Sequence, residues 1–459
     1  MTTEGRAKAV HDSDLIAARL ERLPIGRWHA RVVGLLGGAQ FFDAYDAWLI
    51  AIILPVLVAE WRLSPQQAAG LLSAGFVGQL FGAPIFGGVA ERFGRAFVVR
   101  LTLMLVGVSS LACAFSDTFS MMLGFRLLQG IVLGAQVPVS ATYLNEICPS
   151  SLRGRMVFAM LILYALGSLL VTVASWQLVP LIGWRAMFAL GVLPALLALL
   201  MKRMLPESPR WLASRGRFHE ADAIVNAVEI DMTAKGIELA EPIIRSSTGV
   251  VLQQSSFREL FSRQYFPRTI LIWAIAFCVS ICGFGIAGWM PTLYASYFHL
   301  SVETSMRYSS LMSFVGLFGA ILPMFLIDRW GRKSVLSLGF IGAGAALVVL
   351  WLVALNVSPL IVVVLVSAAY LCISFSLGTV WVYAPELYPT RVRALATGSA
   401  SAWFRVAAIV GPIVVGSLLN RGSVSNVFLF FGVFGFIGAV VVLMFGIETN
   451  GKNLEQLSI

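Results

Sequence analysis

Charge is the scarcest property of this chain. Only 12% of its 459 residues are Asp, Glu, Lys or Arg, against 58% hydrophobic. With a mean hydropathy of +0.86, that balance excludes a soluble globular domain, whose surface needs far more charge to stay in water. Histidine is nearly absent: His11, His29, His219 and His299 are scattered and make no metal-ligand cluster. Five cysteines (Cys113, Cys148, Cys278, Cys282, Cys372) show no CxxC spacing. Cys278 and Cys282 stand one helical turn apart, which suits packing rather than a disulfide. No Gly-rich nucleotide loop, nucleophile triad or metal motif occurs, so the reading is not an enzyme, and no cofactor is expected. A net charge of +10 invites a nucleic-acid partner, but its placement in alternate loops rejects one.

Long apolar runs dominate instead. They fall at about 31–58, 67–90, 97–116, 119–145, 156–180, 185–205, 267–297, 307–327, 334–355, 359–384, 395–419 and 424–447, each long enough to cross a bilayer. The expected fold is therefore all-α and polytopic, with twelve transmembrane helices. Arg92/Arg95, Arg153/Arg155, the polar stretch 206–266, Arg329/Arg332/Lys333 and Arg391/Arg393 all fall on one side. The excess of basic residues marks that side as cytoplasmic, so both termini are predicted to be cytoplasmic. Residues 1–30 are polar and basic without a short apolar core, and read as a cytoplasmic tail rather than a cleaved leader.

The chain also repeats itself. Glu91-Arg92-Phe93-Gly94-Arg95 returns as Asp328-Arg329-Trp330-Gly331-Arg332, and Glu146…Pro149…Arg153 returns as Glu386…Pro389…Arg393. A third echo sets Pro206-Glu207-Ser208 against Glu448-Thr449-Asn450. All three recur at about 240 residues, which predicts two six-helix halves (31–205 and 267–447), a linker at 206–266 and a C-terminal tail at 448–459. In the linker, Ala221, Ile224, Val225 and Val228 recur at helical spacing, and Ser256-Phe257-Arg258-Glu259 has the form of a capping box. The acids and arginines of the loop repeats (Glu91, Arg92, Arg95, Glu146, Arg153, Asp328, Arg329, Arg332, Glu386, Arg391) are expected to pair across neighbouring helix ends as conformational locks.

Away from the ends of the runs, four charges are expected within the membrane body: Asp43, Asp46, Arg126 and Arg405. Asp43 and Asp46 are three residues apart, roughly 60° around a helix. One ionised Asp at mid-bilayer costs on the order of 2.5–3.5 kcal/mol, so that face must turn toward water, a basic partner or another helix. A static salt bridge would also satisfy it. Arg405 can grip a carboxylate bidentately, or pair within its own half. Gln40 and Gln136 need polar partners if buried. The stretch Gly283–Pro291 breaks the seventh run with Gly and Pro, and predicts a bending gate.

Both loop repeats, together with Arg126-Leu127-Leu128-Gln129-Gly130 and Pro206-Glu207-Ser208-Pro209-Arg210-Trp211, resemble the major facilitator superfamily over nearly the whole chain. Phe42-Asp43-x-x-Asp46 resembles the signature of aromatic-acid:proton symporters and bacterial niacin transporters. Related likenesses are to sugar porters and synaptic-vesicle transporter-like proteins. Glu91 stands where Asp is usual, and the Asn450-Gly451-Lys452 ending is looser than the sugar-porter form. The resemblance implies a monomeric inner-membrane symporter working by alternating access. It implies that Arg126 pairs with one of a coupled Asp43/Asp46 couple to carry the proton. Arg405, with the aromatics Tyr164, Phe284, Trp289, Trp381 and Tyr383 and the amides Gln40 and Gln136, would bind substrate. Tyr164 and Trp381 match ligand-contacting positions of synaptic-vesicle transporter-like proteins. The substrate expected is a small organic anion, nicotinate first. Another aromatic carboxylate such as 4-hydroxybenzoate comes next, then a sugar or polyol; a non-transporting membrane receptor is the reading from a different class. The fifth run lacks the Gly-Pro motif of drug:proton antiporters, which favours import.

Overall fold

The computed structural model describes residues 3–149, 152–243, 256–388 and 390–450. Among them there is no strand. The helices are α1 (Thr3–Arg22), α2 (Arg27–Trp61), α3 (Pro65–Phe93), α4 (Arg95–Ala114), α5 (Phe119–Leu133), α6 (Gln136–Ile147), α7 (Arg153–Leu190), α8 (Leu193–Met204), α9 (Pro209–Ser214), α10 (Phe218–Thr233), α11 (Phe266–Ser296), α12 (Val302–Ile321), α13 (Pro323–Trp330), α14 (Arg332–Val353), α15 (Pro359–Glu386), α16 (Thr390–Asn420) and α17 (Val424–Phe445). Helix starts follow local chemistry. Ser64 accepts from the Gln67 amide ahead of Pro65, Thr118 accepts from Met121, and Ser301 accepts from Thr304, each satisfying an amide that has no partner in the first turn.

Eleven helical stretches are long and apolar enough to span a membrane, and one, Arg153–Met204, has 52 residues. At about 1.5 Å per residue that is roughly 78 Å, more than twice a hydrocarbon core of about 30 Å. It bends at Gly183, whose φ of 78° interrupts the helix. The fifth and sixth apolar runs thus share this one stretch, so the described residues hold twelve apolar runs able to cross. The fourth run is divided between α5 and α6. In α11 the Gly/Pro stretch forms an unbroken helix through Pro291, because tertiary packing overrides the weak local propensity of its glycines.

Helices α2–α8 pack mainly with one another, as do α11–α17. Within the first bundle α3 and α5 touch backbone to backbone. A Cβ on Gly82 would lie 1.8 Å from the Ile131 carbonyl oxygen, and one on Gly130 would lie 2.1 Å from that of Gly75. Small residues permit this approach in a membrane, where dispersion contacts replace the hydrophobic effect. The bundles join on the side opposite the linker. There the Ser73 hydroxyl donates to the Ile409 carbonyl at 3.0 Å, and Gly416 abuts Pro65 and Ala69.

The N-terminal stretch is not a free tail. Ile16 and Leu20 of α1 and Leu23 just beyond it share a core with Trp211, Leu212, Val225 and Met232 of α9 and α10. Arg19 donates to both Glu229 carboxylate oxygens (3.1 and 2.6 Å), to Asp222 (2.5 Å) and to Asn226. Burial pulls the Glu229 carboxyl upward, but the hydrogen bonds from Arg19 and Arg22 outweigh it and hold it below its ordinary value. The expected amphipathic linker helix is α10, with Ala221, Val225 and Val228 buried. The stretch opened by Ser256 is a 3-10 turn, Phe257–Phe261, capped by Ser256 accepting from the Arg258 amide.

Candidate functional site

The loop repeats build two copies of one device. In the first, Arg95 donates to Glu91 and Glu146, both at 2.9 Å, and to the Ala90 carbonyl at 3.2 Å. In the second, Arg332 grips Glu386 with two bonds of 3.0 and 2.9 Å, meets Asp328 at 3.1 Å and donates to the Ile327 carbonyl at 3.3 Å. The third echo completes each copy. Glu207 accepts from the amides of Arg95 and Ala96, and Glu448 from those of Arg332 and Lys333, at 2.8–3.1 Å. Each carboxylate therefore caps the start of a membrane helix, where the dipole favours negative charge. Gly94 (φ 106°) and Gly331 (φ 82°) make the turn, and a Cβ there would lie 2.3 and 2.4 Å from the Glu207 and Glu448 carboxylates. Backbone in this region costs other residues about 1–3 kcal/mol. Gly94→Ala and Gly331→Ala should accordingly lower the thermal midpoint of the purified protein by similar amounts. A normal midpoint for either would contradict the shared role.

Not every expected lock residue takes part. Arg92 lies over the Phe93 ring at 5.3 Å. Arg153 donates to the Cys148 carbonyl at 3.2 Å and meets Glu21 of α1 at 3.5 Å. Arg329 is exposed and has no ion pair among the described residues. The side chain of Arg391 lies outside the described residues, as do Gly451 and Lys452.

At mid-membrane, Asp46 is fully buried. Its Oδ1 accepts from Ser110 at 2.7 Å and from Gln129 at 3.1 Å. Arg126 does not reach either carboxylate. It donates to the Asp46 backbone carbonyl at 2.9 Å and to Gln129 Oε1 at 2.6 Å. The expected ion pair is replaced by a relay: Arg126 orients the Gln129 amide, and its other end meets Asp46. Gln129 sits three residues beyond Arg126, on the same helix face. The Asp46 Oδ2 atom has no partner among the described residues.

Asp43 has different company. Its Oδ1 is buried without a partner among the described residues, and the charges within electrostatic reach of it are Asp46 and Arg405. Arg405 comes from α16 in the second bundle. It donates to Ser401 at 2.9 Å and across the seam to the Gly134 carbonyl at 3.4 Å, and its Nε has no partner among the described residues. That carbonyl is free for a covalent reason. Its helical donor would be the amide of residue 138, which is a proline and has none. The Tyr164 side chain lies within electrostatic reach of Asp43 and Arg405.

Aromatic rings close the seam. Trp48 of the first bundle stacks on Phe284 of the second, centroids 5.1 Å apart and planes within 6°. Phe76 meets Phe284 edge-on at 5.1 Å, and Phe404 bridges Phe284 (5.7 Å) to Trp381 (5.5 Å). Such pairs contribute about 0.5–1.5 kcal/mol each beyond burial.

Two expected ligand contacts, Trp289 and Tyr383, are engaged elsewhere, and two more, Gln40 and Gln136, are buried in the first bundle. Trp289 is 1% exposed, inside the core. Tyr383 is fully buried; it donates to the Ile447 carbonyl at 2.9 Å and accepts from the Ile447 amide at 2.8 Å. Its repeat mate Tyr143 likewise donates to the Pro206 carbonyl at 2.6 Å. Both tyrosines hold the residue before a capping glutamate, a structural duty in each half. Gln40 and Gln136 are buried between α2 and α6, with Gln40 donating to Ser140 at a long 3.5 Å. Gln40 Oε1 and both amide atoms of Gln136 lack partners among the described residues. Sequence reasoning missed Trp48, Phe76, Ser110, Phe404, Gln129 and the Gly134–Pro138 pair. Of these, only Gln129 and the proline carried a signal readable along one helix.

Residues 35–459 match the profile of the family described as sugar (and other) transporter. The niacin transporter NiaP of Acinetobacter baylyi is 34% identical over 448 residues, covering 97% of this chain and 100% of that protein. The 4-hydroxybenzoate transporter PcaK of Pseudomonas aeruginosa is 29% identical, covering 89% of this chain and 90% of PcaK. Among solved structures, the inward-open xylose transporter XylE of Escherichia coli superposes with a TM-score of 0.71 at 20% identity, covering 93% of this chain and 98% of XylE. The chain belongs to the sugar (and other) transporter family, has the fold of a major facilitator transporter, and is a multi-pass membrane transporter, not an enzyme.

Proposed function

We propose that the protein imports a small aromatic carboxylate, nicotinate first, across a bacterial plasma membrane by proton-coupled alternating access. One observation carries the reading. Arg405, whose Nε has no partner among the described residues, stands at the seam between the bundles, within electrostatic reach of Asp43 and next to the ring cluster through Phe404. A flat ring bearing a carboxylate uses both features: the guanidinium takes the charge and the rings of Trp48, Phe284 and Trp381 take the faces. Asp43 is the proton carrier in this scheme. It sits where the two bundles part company in an alternating-access cycle, whereas Asp46 is tied within its own bundle by Ser110 and Gln129. In this scheme both termini lie in the cytoplasm, a reading supported by the basic loops, and the carrier works as a monomer. The named activity of the niacin transporter relative supports nicotinate; that of PcaK supports 4-hydroxybenzoate as the second reading.

A thermal-shift panel on the purified protein separates these readings, because a ligand that binds only the folded state raises the midpoint. Nicotinate should raise it and nicotinamide should not. Stabilisation by 4-hydroxybenzoate alone moves the assignment to the second reading. Stabilisation by hexoses alone contradicts the carboxylate site.

A further inference from the structure

A groove of about 440 Å³ runs between α7 and α12, on the side of the molecule opposite the linker. Its walls come from different bundles: Val173 and Trp176 from the first, Tyr308, Leu311 and Phe314 from the second, with Arg307 at the rim. Val173, Leu311 and Phe314 are 36%, 46% and 48% exposed, so the groove opens outward, to what is hydrocarbon around a membrane helix. Arg307 is exposed, lies 5.7 Å from the Tyr308 ring centroid, and has no ion pair among the described residues. Glu303, one turn earlier on the same helix, does not bind it. Arg307 is the sixth residue of α12, about 7–8 Å in from the helix end. Residue 307 also opens the eighth apolar run, the end of a spanning segment where lipid headgroups lie, and Trp176 and Tyr308 are the residue types that gather there.

We propose that this groove is a binding site for an anionic phospholipid, with one acyl chain between α7 and α12 and the phosphate on Arg307. The guanidinium offers a paired donor edge to phosphate oxygens, and the chain replaces the contacts that the open groove leaves unmade. Because the walls belong to different bundles, the lipid binds best when the bundles are closed on this side, and binding favours that conformer. This conformational consequence rests on the alternating-access reading; occupancy of the groove does not.

Native mass spectrometry of the purified protein in a neutral detergent, titrated with palmitoyl-oleoyl phosphatidylglycerol or phosphatidylcholine, tests the site. Phosphatidylglycerol should be retained about fivefold more strongly, the preference one arginine gives at a membrane surface. Arg307→Gln should erase that preference, and Leu311→Trp, which fills the groove, should lower retention of both lipids. Val173→Trp, filling it from the other wall, should do the same, and all three changes lie on exposed positions. Equal retention of the two lipids by the wild-type protein, or unchanged retention in the two tryptophan variants, would overturn the proposal. Neither result depends on which substrate is carried.

Discussion

Arg405→Ala should weaken nicotinate binding by at least about 30-fold, because removing one partner of a desolvated charge pair costs about 2–5 kcal/mol. Arg405→Lys should recover only part of it, since an ammonium cannot present two parallel donors to a carboxylate. The competing account is that Arg405 exists to satisfy the Gly134 carbonyl left open by Pro138. The two accounts separate in a double variant. Pro138→Ala restores the missing amide, so Arg405→Ala/Pro138→Ala should regain thermal stability while remaining unable to bind. Isothermal titration and a melting curve on the four proteins suffice. Recovery of binding in the double variant would reduce Arg405 to a helix-capping role.

Asp43→Asn should leave counterflow exchange of substrate intact and abolish uphill accumulation. Asparagine keeps the shape at a site where Asp43 Oδ1 makes no hydrogen bond, so binding and the conformational cycle survive, but the side chain can no longer take up and release a proton. Asp46→Asn should also abolish accumulation if the two acids act as a coupled pair. Its Oδ1 can still accept from Ser110 and Gln129, so the fold persists. Accumulation retained by both variants would remove the aspartates from the coupling scheme. Loss in the Asp43 variant alone would assign the proton to the acid at the seam.

Much of the frame was legible in the sequence because it is periodic or local. The twelve apolar runs, the Glu91/Arg95 and Asp328/Arg332 spacing of four residues, and the repeat at about 240 residues all follow from one-dimensional pattern. The pairing of Glu146 with Arg95 and of Glu386 with Arg332 was foreseeable once the loops were placed on one side. What failed was anything decided by the rotation of a helix against its neighbours. Tyr383 read as a cavity aromatic, yet its hydroxyl is consumed by Ile447 at the end of another helix. Trp289 read as a ligand platform and faces the core. Arg126 was expected to find a carboxylate and found a backbone carbonyl and a glutamine, because a relay through Gln129 satisfies the buried acid without bringing the ions into contact. The N-terminal stretch looked polar enough to be a tail, but Ile16, Leu20 and Leu23 form a stripe at helical spacing that only the linker helices could cover.

The most direct test of a proton-coupled carboxylate importer is uptake of radiolabelled nicotinate by proteoliposomes with an imposed pH gradient, acid outside. The gradient should drive accumulation of up to about tenfold per pH unit for each coupled proton, and a protonophore should collapse it. Asp43→Asn vesicles should only equilibrate. Accumulation that ignores the gradient, or an Asp43→Asn protein that concentrates nicotinate as well as the wild type, would contradict the account.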